Sequence, residues 1–322
     1  MSKKDDKAIK GVLANLEKRF GEKVVMRMND AGTDAKTFSS GRPLLDEMLG
    51  GGYGVGKIVE IYAESGCGKT GLALEAIKVI QDMGGEVALI DAEHALNTEY
   101  CTLLGIDTDK LLISQPSYGE QAMEAIRALI PVVDLIVVDS VSALVPKAEL
   151  EGESGEIKMA LQARMMSQGM KLISGPASDN DTTILFINQL RSTIAMYGPS
   201  TTTTGGKALP FYASQRLEVK RKGWMKQGEE VIGFHQHIKI TKNKIGSPFK
   251  TCEFDIEYGK GVDSKTGLID GLVFEEIVTK RGSYFYYGDV RLAQGMKNLR
   301  LVLEDNPELE EELTLKLAEA KA

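Results

Sequence analysis

The fold is decided by residues 58–70, which read IVEIYAESGCGKT. The apolar run from Ile58 to Tyr62 predicts a short buried strand, and the apolar spacing from Thr70 to Met83 predicts a helix. Between them lies a polar, glycine-containing turn. A turn of this kind at a helix N-terminus presents backbone N–H groups to phosphate, and the helix dipole also favours anions there. The stretch therefore predicts a phosphate-binding loop within an α/β unit.

The predicted nucleotide site is the loop itself, which comprises Ala63, Glu64, Ser65, Gly66, Cys67, Gly68, Lys69 and Thr70. Gly68 lets the backbone approach the phosphates, Lys69 neutralises the β- and γ-phosphates, and the Thr70 hydroxyl binds Mg²⁺. Ala63 stands where the motif usually has its first glycine, and a small residue still fits there. For Cys67, a redox role is the alternative to simple packing. ATP and Mg²⁺ are the expected cofactors.

Strands and helices alternate beyond the loop. Further strands are expected at 86–90, 111–114, 135–138 and 184–187, and a further helix at 121–130. These strands are continuous apolar runs, which indicates burial on both faces of a mostly parallel sheet covered by helices. Two later strands, at 216–220 and 234–241, are expected to extend the sheet antiparallel. The predicted class is α/β.

Polar side chains follow several of these strands. Asp139 comes directly after an apolar run, where ligands of open α/β sheets gather, and is expected to hold Mg²⁺ through water. Glu93 is a candidate general base for the attacking water, with Asp91 as its rival. A turn aspartate and a solvated loop glutamate are the structural alternatives. Gln189 is a candidate sensor of the γ-phosphate that couples the nucleotide to a loop.

Two polar loops interrupt the pattern. The loop at 149–156 is rich in glycine and acids and precedes a helix that carries Arg164 and Lys171. The loop at 191–206 ends in four threonines and two glycines. Loops of this length are usually functional or disordered, so flexible surface is the alternative to a binding role. Trp224 lies in a basic turn, where contact with DNA and a plain hairpin tip are equally compatible with the sequence.

Composition limits the function classes. The formal net charge is −7, but residues 301–322 hold seven acids and two lysines, a net charge of −5, so the other 300 residues carry only −2. Overall acidity therefore does not exclude a local track of basic residues for nucleic acid. No apolar stretch approaches the about 20 residues that a membrane helix needs. Three scattered cysteines show neither a disulfide framework nor a zinc pattern, so we expect a cytoplasmic protein.

Three regions are expected along the chain. Residues 1–32 hold an amphipathic helix and a short strand at 24–28, which together are too small to form a core and must dock elsewhere. Residues 33–263 form the nucleotide-binding core with the two polar loops. Residues 264–322 form a small α/β module that ends in a helix after Pro307.

At this level of detail the chain resembles the bacterial-type RecA recombinases, from Lys7 through at least Gly261. The resemblance is carried by motifs in a fixed order: VEIY at 59–62, IDAEHAL at 90–96, SQP at 114–116, VVDSV at 137–141, ARMMSQ at 163–168, FINQ at 186–189, TTGG at 203–206 and KNKI at 242–245. This many ordered matches is far more specific than any single motif. The resemblance implies a RecA-like core of the P-loop NTPase class.

The resemblance also implies residue roles. Glu93 would be the catalytic glutamate and Gln189 the switch glutamine, while Tyr100 would stack on adenine beside Asn97, which replaces a common acid. Lys242 and Lys244 would reach the phosphates of a neighbouring subunit, and Phe211 and Arg216 would help to join subunits. DNA contacts would come from Met159 and Ile194 as wedges between bases, and from Arg164, Lys171, Arg191, Gly205, Gly206 and Lys207 as phosphate contacts.

The implied activity is a DNA-dependent ATPase that polymerises on single-stranded DNA and pairs it with homologous double-stranded DNA in recombination and repair. A filament of this type in the DNA-damage (SOS) response would also meet a repressor that cleaves itself. The alternatives are a helicase-like P-loop motor and a non-hydrolysing recombination mediator. Pro210 and His237 stand where basic residues are common, and the sequence ends at Ala322 without a long acidic tail, so we expect weaker autoinhibition. Phage and bacterial origins both fit.

Overall fold

The computed structural model describes residues 6–21, 25, 36–152, 159–192, 201–259, 261–262 and 264–321. The chain divides into one unit that ends at Lys36 and a second that begins at Thr37. In the first unit, helix α1 spans Asp6–Phe20, as its apolar spacing predicts. Ile9, Val12 and Phe20 of this helix are exposed apolar side chains. The strand expected at 24–28 lies outside the described residues, apart from Val25.

The second unit contains the remaining elements. Its first half comprises β1 (Thr37–Phe38), α2 (Pro43–Leu49), β2 (Tyr53–Gly54), β3 (Ile58–Ala63), α3 (Lys69–Asp82), β4 (Val87–Asp91), α4 (Thr98–Leu103), β5 (Leu112–Ser114), α5 (Gly119–Leu129), β6 (Leu135–Asp139), α6 (Lys147–Glu151) and α7 (Met159–Asp179). Its second half comprises β7 (Thr183–Ser192), β8 (Thr201–Thr203), α8 (Ala208–Tyr212), β9 (Gln215–Gln227), β10 (Glu230–Asn243), β11 (Thr251–Glu257), β12 (Gly261–Val262), α9 (Ser264–Phe274), β13 (Val278–Arg281), β14 (Tyr284–Tyr287), β15 (Val290–Gln294), α10 (Met296–Asp305) and α11 (Pro307–Lys321).

A large, mostly parallel sheet organises the core. Within the described residues its strand order is β12–β11–β10–β9–β3–β7–β6–β4–β5, and β8 pairs with β7. The pairs from β9 through β5 are parallel, whereas β10, β11 and β12 are antiparallel to their neighbours. Strand β3 lies in the middle, so the loop that follows it opens at the carboxyl edge of the sheet, where ligands of such sheets bind.

Burial on both faces of the sheet is confirmed. Every residue of β3 is buried, and alternate residues of β6 contribute to two different hydrophobic clusters. Leu135 and Val137 belong to the cluster that contains α3. Ile136 and Val138 belong to the cluster that contains α5 and α7. Because successive strand side chains point to opposite faces, this division places helices on both sides of the sheet.

Three sequence predictions need correction. Strand β9 was expected to run antiparallel, but it pairs parallel with β3, and the antiparallel part begins only at β10. The expected loop at 191–206 is partly a hairpin, because β7 continues to Ser192 and β8 pairs antiparallel with it. Similarly, the expected loop at 149–156 begins within helix α6. Apolar periodicity locates strands but carries no information on which edge or direction a strand takes.

A small module at the C-terminal end has its own core. Strands β13, β14 and β15 form an antiparallel sheet. Helices α9, α10 and α11 pack with this sheet around a hydrophobic cluster that includes Ile269, Phe285, Leu303 and Leu313. The small C-terminal α/β domain expected from the sequence is therefore present.

Candidate nucleotide site and DNA loops

The phosphate loop connects the end of β3 to the start of α3, as the sequence predicts. Gly66 and Gly68 adopt positive φ angles of 70° and 81°, which favour glycine. Space also requires glycine at 68, since a Cβ there would lie 2.5 Å from Gln236 Nε2 and 3.1 Å from Phe234 Cζ. The loop therefore packs directly against strand β10, which sequence reasoning did not connect with it.

Lys69 is buried and interacts with its own loop. Its Nζ donates to the carbonyl oxygens of Glu64 (2.8 Å) and Ala63 (3.4 Å). Burial lowers the pKa of Lys69, and the nearby Asp139 and Glu93 oppose that shift. The ammonium is thus held by weak neutral acceptors in a partly dry site, where an anionic phosphate is a far stronger partner.

Thr70 and Asp139 face each other across the carboxyl edge of the sheet. The Thr70 hydroxyl donates to Asp139 Oδ2 at 2.9 Å. Burial raises the pKa of Asp139 to about 6, the hydrogen bond from Thr70 lowers it, and the charge of Glu93 raises it further. A hydroxyl beside a carboxylate is a set of hard oxygen donors that fits Mg²⁺, and a divalent cation would favour the ionised carboxylate.

Glu93 and Asp91 occupy different environments. Glu93 Oε1 accepts hydrogen bonds from Ser140 Oγ (2.5 Å) and Gln189 Nε2 (2.9 Å). Asp91 is buried, and its two oxygens accept from the Ala95 backbone N–H (3.2 Å) and from a glutamine side chain (3.0 Å). Both Asp91 oxygens are therefore engaged within the fold. Asp91 and Glu93 both line the cavity that contains Thr70 and Asp139. Glu93 is exposed, whereas Asp91 is buried with both oxygens engaged, so the geometry favours Glu93 over its rival.

Gln189 belongs to a network that leads away from Glu93. The neighbouring Asn188 is fully buried and its Oδ1 accepts from the Gln189 backbone N–H (2.9 Å) and from Thr204 Oγ1 (2.5 Å). Its Nδ2 donates to the Thr204 carbonyl (3.1 Å) and to Glu60 Oε1 (2.9 Å). The other Glu60 oxygen accepts from Arg216 Nε at 2.5 Å. Hydrogen bonds and one peptide link thus connect the candidate base to the end of the second polar loop.

Tyr100 lies between two cavities. One, of about 280 Å³, also contains Thr70, Glu93 and Asp139. The other, of about 320 Å³, is lined by Tyr100 together with Tyr258, which follows β11. Two tyrosines beside a phosphate loop form a cavity suited to a planar base, since aromatic faces stack on one another.

Asn97 and Tyr258 qualify the sequence predictions for this cavity. Asn97 caps helix α4 by accepting from the Tyr100 backbone N–H at 3.0 Å, so it positions Tyr100. Tyr258 was not identified from the sequence. An aromatic residue directly after the alternating strand β11 was the available signal.

The residues expected to contact DNA lie around helix α7 and the hairpin of β7 and β8. Arg164, Lys171, Arg191 and Lys207 are exposed. Gly205 and Gly206 have φ angles of 80° and 76°. A Cβ on Gly205 would lie 3.0 Å from Val141 Cγ1, and one on Gly206 would lie 2.7 Å from the Cβ of Ala163 on α7. The Met159 side chain and all of Ile194 lie outside the described residues.

The residues expected at a subunit interface cluster near helix α8. Lys242 Nζ donates to the carbonyl oxygens of Pro210 and Phe211, both at 2.9 Å. Burial and the charges of Lys244 and Arg216 lower the pKa of Lys242. Phe211 itself is 75% exposed. Neither lysine lines the two cavities described above, so this subunit does not bring them to its own nucleotide site.

The hairpin of β9 and β10 carries the basic turn. Arg221 Nη1 donates to the Gly66 carbonyl at 3.2 Å, and its guanidinium lies 4.0 Å from the centre of the Trp224 ring. Lys222 pairs with Glu253 on β11. The basic hairpin is therefore in direct contact with the phosphate loop, which the sequence did not reveal.

Other site classes find little support. No group of three or more His, Cys, Asp or Glu side chains arranged for a metal occurs among the described residues. The three cysteines are free and buried, and Cys67 packs in the core, which favours packing over a redox role. No helix in the described part of the chain is both long and apolar enough to cross a membrane.

The chain is similar to known proteins over nearly its whole length. Residues 7–263 match the family model described as the RecA N-terminal domain, and residues 266–321 match the RecA C-terminal domain. Relatives named Protein RecA from Staphylococcus aureus strains JH9, Newman and N315 are each 47% identical over 318 residues. The alignments cover 97% of this chain and 92% of each relative.

Proposed function

The chain belongs to the RecA family, and from that premise we propose that it is a DNA-dependent ATPase. It would polymerise on single-stranded DNA and catalyse homologous pairing and strand exchange with a duplex. The observation that carries this proposal is the position of Glu93. Its carboxylate lies in the cavity of Thr70 and Asp139 and accepts a hydrogen bond from Gln189 at 2.9 Å. One set of contacts thus joins the reaction site to the second polar loop.

ATP would be held by the phosphate loop. The backbone N–H groups at the start of α3 would bind the phosphates. Lys69 would exchange its two carbonyl partners for phosphate oxygens. Thr70 and Asp139 would hold Mg²⁺, which neutralises charge between the β- and γ-phosphates. The base would enter the cavity of Tyr100 and Tyr258.

Glu93 would act as the general base. The hydrogen bonds from Ser140 and Gln189 converge on its Oε1. They fix the carboxylate and leave Oε2 to orient the attacking water and accept its proton. General bases placed in this way contribute on the order of 10²- to 10⁴-fold to a rate.

DNA would act on this site through the second loop. A strand bound at that loop would hold Thr204, whose hydroxyl and carbonyl both bond to Asn188. Asn188 in turn holds the backbone of Gln189, and Gln189 contacts Glu93. A strand bound at Gly205 and Gly206 and at the basic residues Arg164, Lys171, Arg191 and Lys207 would thereby set the geometry of the base.

A filament explains the remaining residues. Phe211 is a large exposed aromatic, and Lys242 donates to its carbonyl oxygen. Neither Lys242 nor Lys244 lines the two cavities of its own subunit. We assign them to the neighbouring subunit's nucleotide, where they would neutralise charge in the manner of an arginine finger. The exposed apolar face of α1 fits the same assembly as a docking element.

The test is ATP hydrolysis with and without single-stranded DNA, for the wild type and for Glu93→Gln. Glu99→Gln is the matched control, because Glu99 is an exposed acid on the nearby helix α4. We expect strong stimulation by DNA in the wild type and the control, and none in Glu93→Gln. A rate of ATP hydrolysis that does not change with DNA would favour a helicase-like motor. An absence of hydrolysis in the wild type would favour a non-hydrolysing mediator. Electron microscopy separates filaments from closed rings.

A further inference from the structure

A buried chain of polar side chains supports the phosphate loop from behind. Gln236 on β10 donates through Nε2 to the carbonyl oxygens of Cys67 (2.6 Å) and Gly68 (3.4 Å). Its Oε1 accepts from Arg42 Nη1 at 2.6 Å. Arg42 then makes a two-pronged contact with Glu75 of α3, through Nε at 2.6 Å and Nη2 at 2.9 Å. The chain therefore links the loop, the helix that follows it and strand β10.

These contacts define a single orientation for the Gln236 amide. The side chain is 1% exposed, so solvent offers no alternative partner. If the amide were reversed, its oxygen would face the Cys67 carbonyl and its NH₂ would face the Arg42 guanidinium. Two acceptors would then be in contact at one end of the amide and two donors at the other. Arg42 is itself 3% exposed, and its guanidinium lies 4.7 Å from the centre of the Phe254 ring. Arg42 is held by Glu75 and Phe254, and it holds the Gln236 amide with its Nε2 donor toward the loop.

The carbonyl direction of a peptide determines the direction of its N–H group. In a phosphate loop the N–H groups must converge on the ligand, and the carbonyls point away from it. A donor that captures the carbonyls of Cys67 and Gly68 therefore holds the following N–H groups toward the phosphates before a ligand arrives. We propose that Gln236, oriented by Arg42 and Glu75, is a positioning residue that preorganises the phosphate loop for nucleotide.

Arg221 makes a similar but weaker contact with the loop, from an exposed position. It lies directly opposite Gln236 in the register of β9 and β10, and it donates to the Gly66 carbonyl at 3.2 Å. Three consecutive carbonyls of the loop, from Gly66 to Gly68, thus accept hydrogen bonds from cross-strand partners of one hairpin. Because Gln236 is buried and Arg221 is not, we assign the larger effect to Gln236.

Two substitutions isolate the Gln236 donor. Gln236→Met has similar length, is neutral and cannot donate. Gln236→Glu keeps an oxygen for Arg42 but places a second acceptor against the Cys67 carbonyl. Thr241→Val is the matched control, since Thr241 lies on the same strand and its hydroxyl donates to the Arg216 carbonyl and accepts from Tyr62. This variant loses two side-chain hydrogen bonds but no hydrogen bond to the phosphate loop.

The measurement is titration with the fluorescent nucleotide mant-ADP and Mg²⁺ without DNA, alongside thermal melting by circular dichroism. Loss of one buried hydrogen bond to the loop should raise the Kd about tenfold in both Gln236 variants. The KM for ATP should rise by the same factor while kcat stays within about twofold, because the bond is made in the ground state and the transition state alike. The control should keep its Kd.

A Gln236 variant that folds and binds mant-ADP with wild-type affinity would overturn the assignment, even if it melts at a lower temperature. If Gln236→Met does not fold, the titration of Gln236→Glu decides. This role presupposes the nucleotide site proposed above, but the titration needs no DNA. A wild type that binds mant-ADP yet hydrolyses ATP without regard to DNA would contradict the proposed function alone.

Discussion

Replacing Arg216 with methionine should destabilise the isolated subunit strongly, because the substitution leaves a buried charge without its partner. Glu60 is 0% exposed, and its carboxylate accepts from Arg216 Nε at 2.5 Å and from Asn188 Nδ2 at 2.9 Å. The Arg216 guanidinium also lies 4.6 Å from the centre of the Tyr62 ring. Removal of one partner of a buried ion pair costs about 3–5 kcal/mol, since the remaining charge stays in a medium that solvates it poorly.

A double-mutant cycle tests the cause of that loss. Glu60→Gln removes the charge and keeps the shape of the side chain, so the double variant no longer buries an unpaired carboxylate. We expect the double variant to be more stable than the sum of the two single losses by about 2 kcal/mol, within the range found for residues in contact. Urea unfolding followed by circular dichroism, without nucleotide or DNA, measures all four proteins.

The control is Lys222→Met on the same strand. It breaks the pair with Glu253, in which both side chains are more than half exposed. An exposed pair contributes at most about 1 kcal/mol. Equal losses for Arg216→Met and Lys222→Met, with additive behaviour in the Glu60 cycle, would refute the reasoning. The cycle also separates a role of Arg216 within the subunit from its expected role at the interface.

Three further predictions concern the reaction site. Glu93→Gln should retain binding of mant-ATP while phosphate release falls by at least about 100-fold, as expected for loss of a general base; weakened binding in place of slowed turnover would contradict this. Thr204→Val loses the hydrogen bond to Asn188. It should reduce stimulation of ATP hydrolysis by single-stranded DNA about fivefold and leave the rate without DNA unchanged. Thr202→Val is the control, because Thr202 is an exposed neighbour on β8. Burial raises the pKa of Asp139 to about 6, so the carboxylate takes up a proton as pH falls through that value. Mg²⁺-dependent nucleotide binding should therefore weaken between about pH 7.5 and about pH 5.5, and Asp139→Asn should bind weakly at both; a wild-type affinity that is unchanged with pH would refute the assignment.

The sequence predicted those parts of the fold that depend on local pattern. Strand β3, the loop and helix α3 were predicted within one residue at each end, because an apolar run, a glycine-rich turn and a helical period follow one another in 26 residues of contiguous chain, 58–83. Resemblance to the RecA family is confirmed by the two matching family models, and it supplied the roles proposed for distant residues. The direction of β9 was wrong because strand order depends on contacts between segments far apart in the chain.

The candidate site divides in the same way. Lys69, Thr70 and Asp139 lie in motifs that predict phosphate and Mg²⁺ binding, and the structure brings these residues together. Tyr258 lies outside the motifs, and Asn188 lies in FINQ at 186–189 without a role of its own there. The contribution of both residues depends on which segments the sheet places side by side. Asn188, for instance, hydrogen-bonds to Glu60 across 128 residues of sequence.

Gln236 nevertheless left a trace in the sequence. Along β10 the buried positions alternate as Phe234, Gln236, Ile238 and Ile240, so a glutamine occupies an inward position between apolar residues. A buried amide without hydrogen-bond partners destabilises the folded state, because it gives up its hydrogen bonds to water. Such groups are rare in folded proteins. A glutamine at an inward position of a strand therefore implies a hydrogen-bond partner in the layer that packs against that strand. The adjacent layer here is the phosphate loop, and its carbonyls are the acceptors that a fixed amide donor would need. The pairing of β10 with β9 shifts register between His235 and Gln236, so the hairpin is irregular at the point where it meets the nucleotide site.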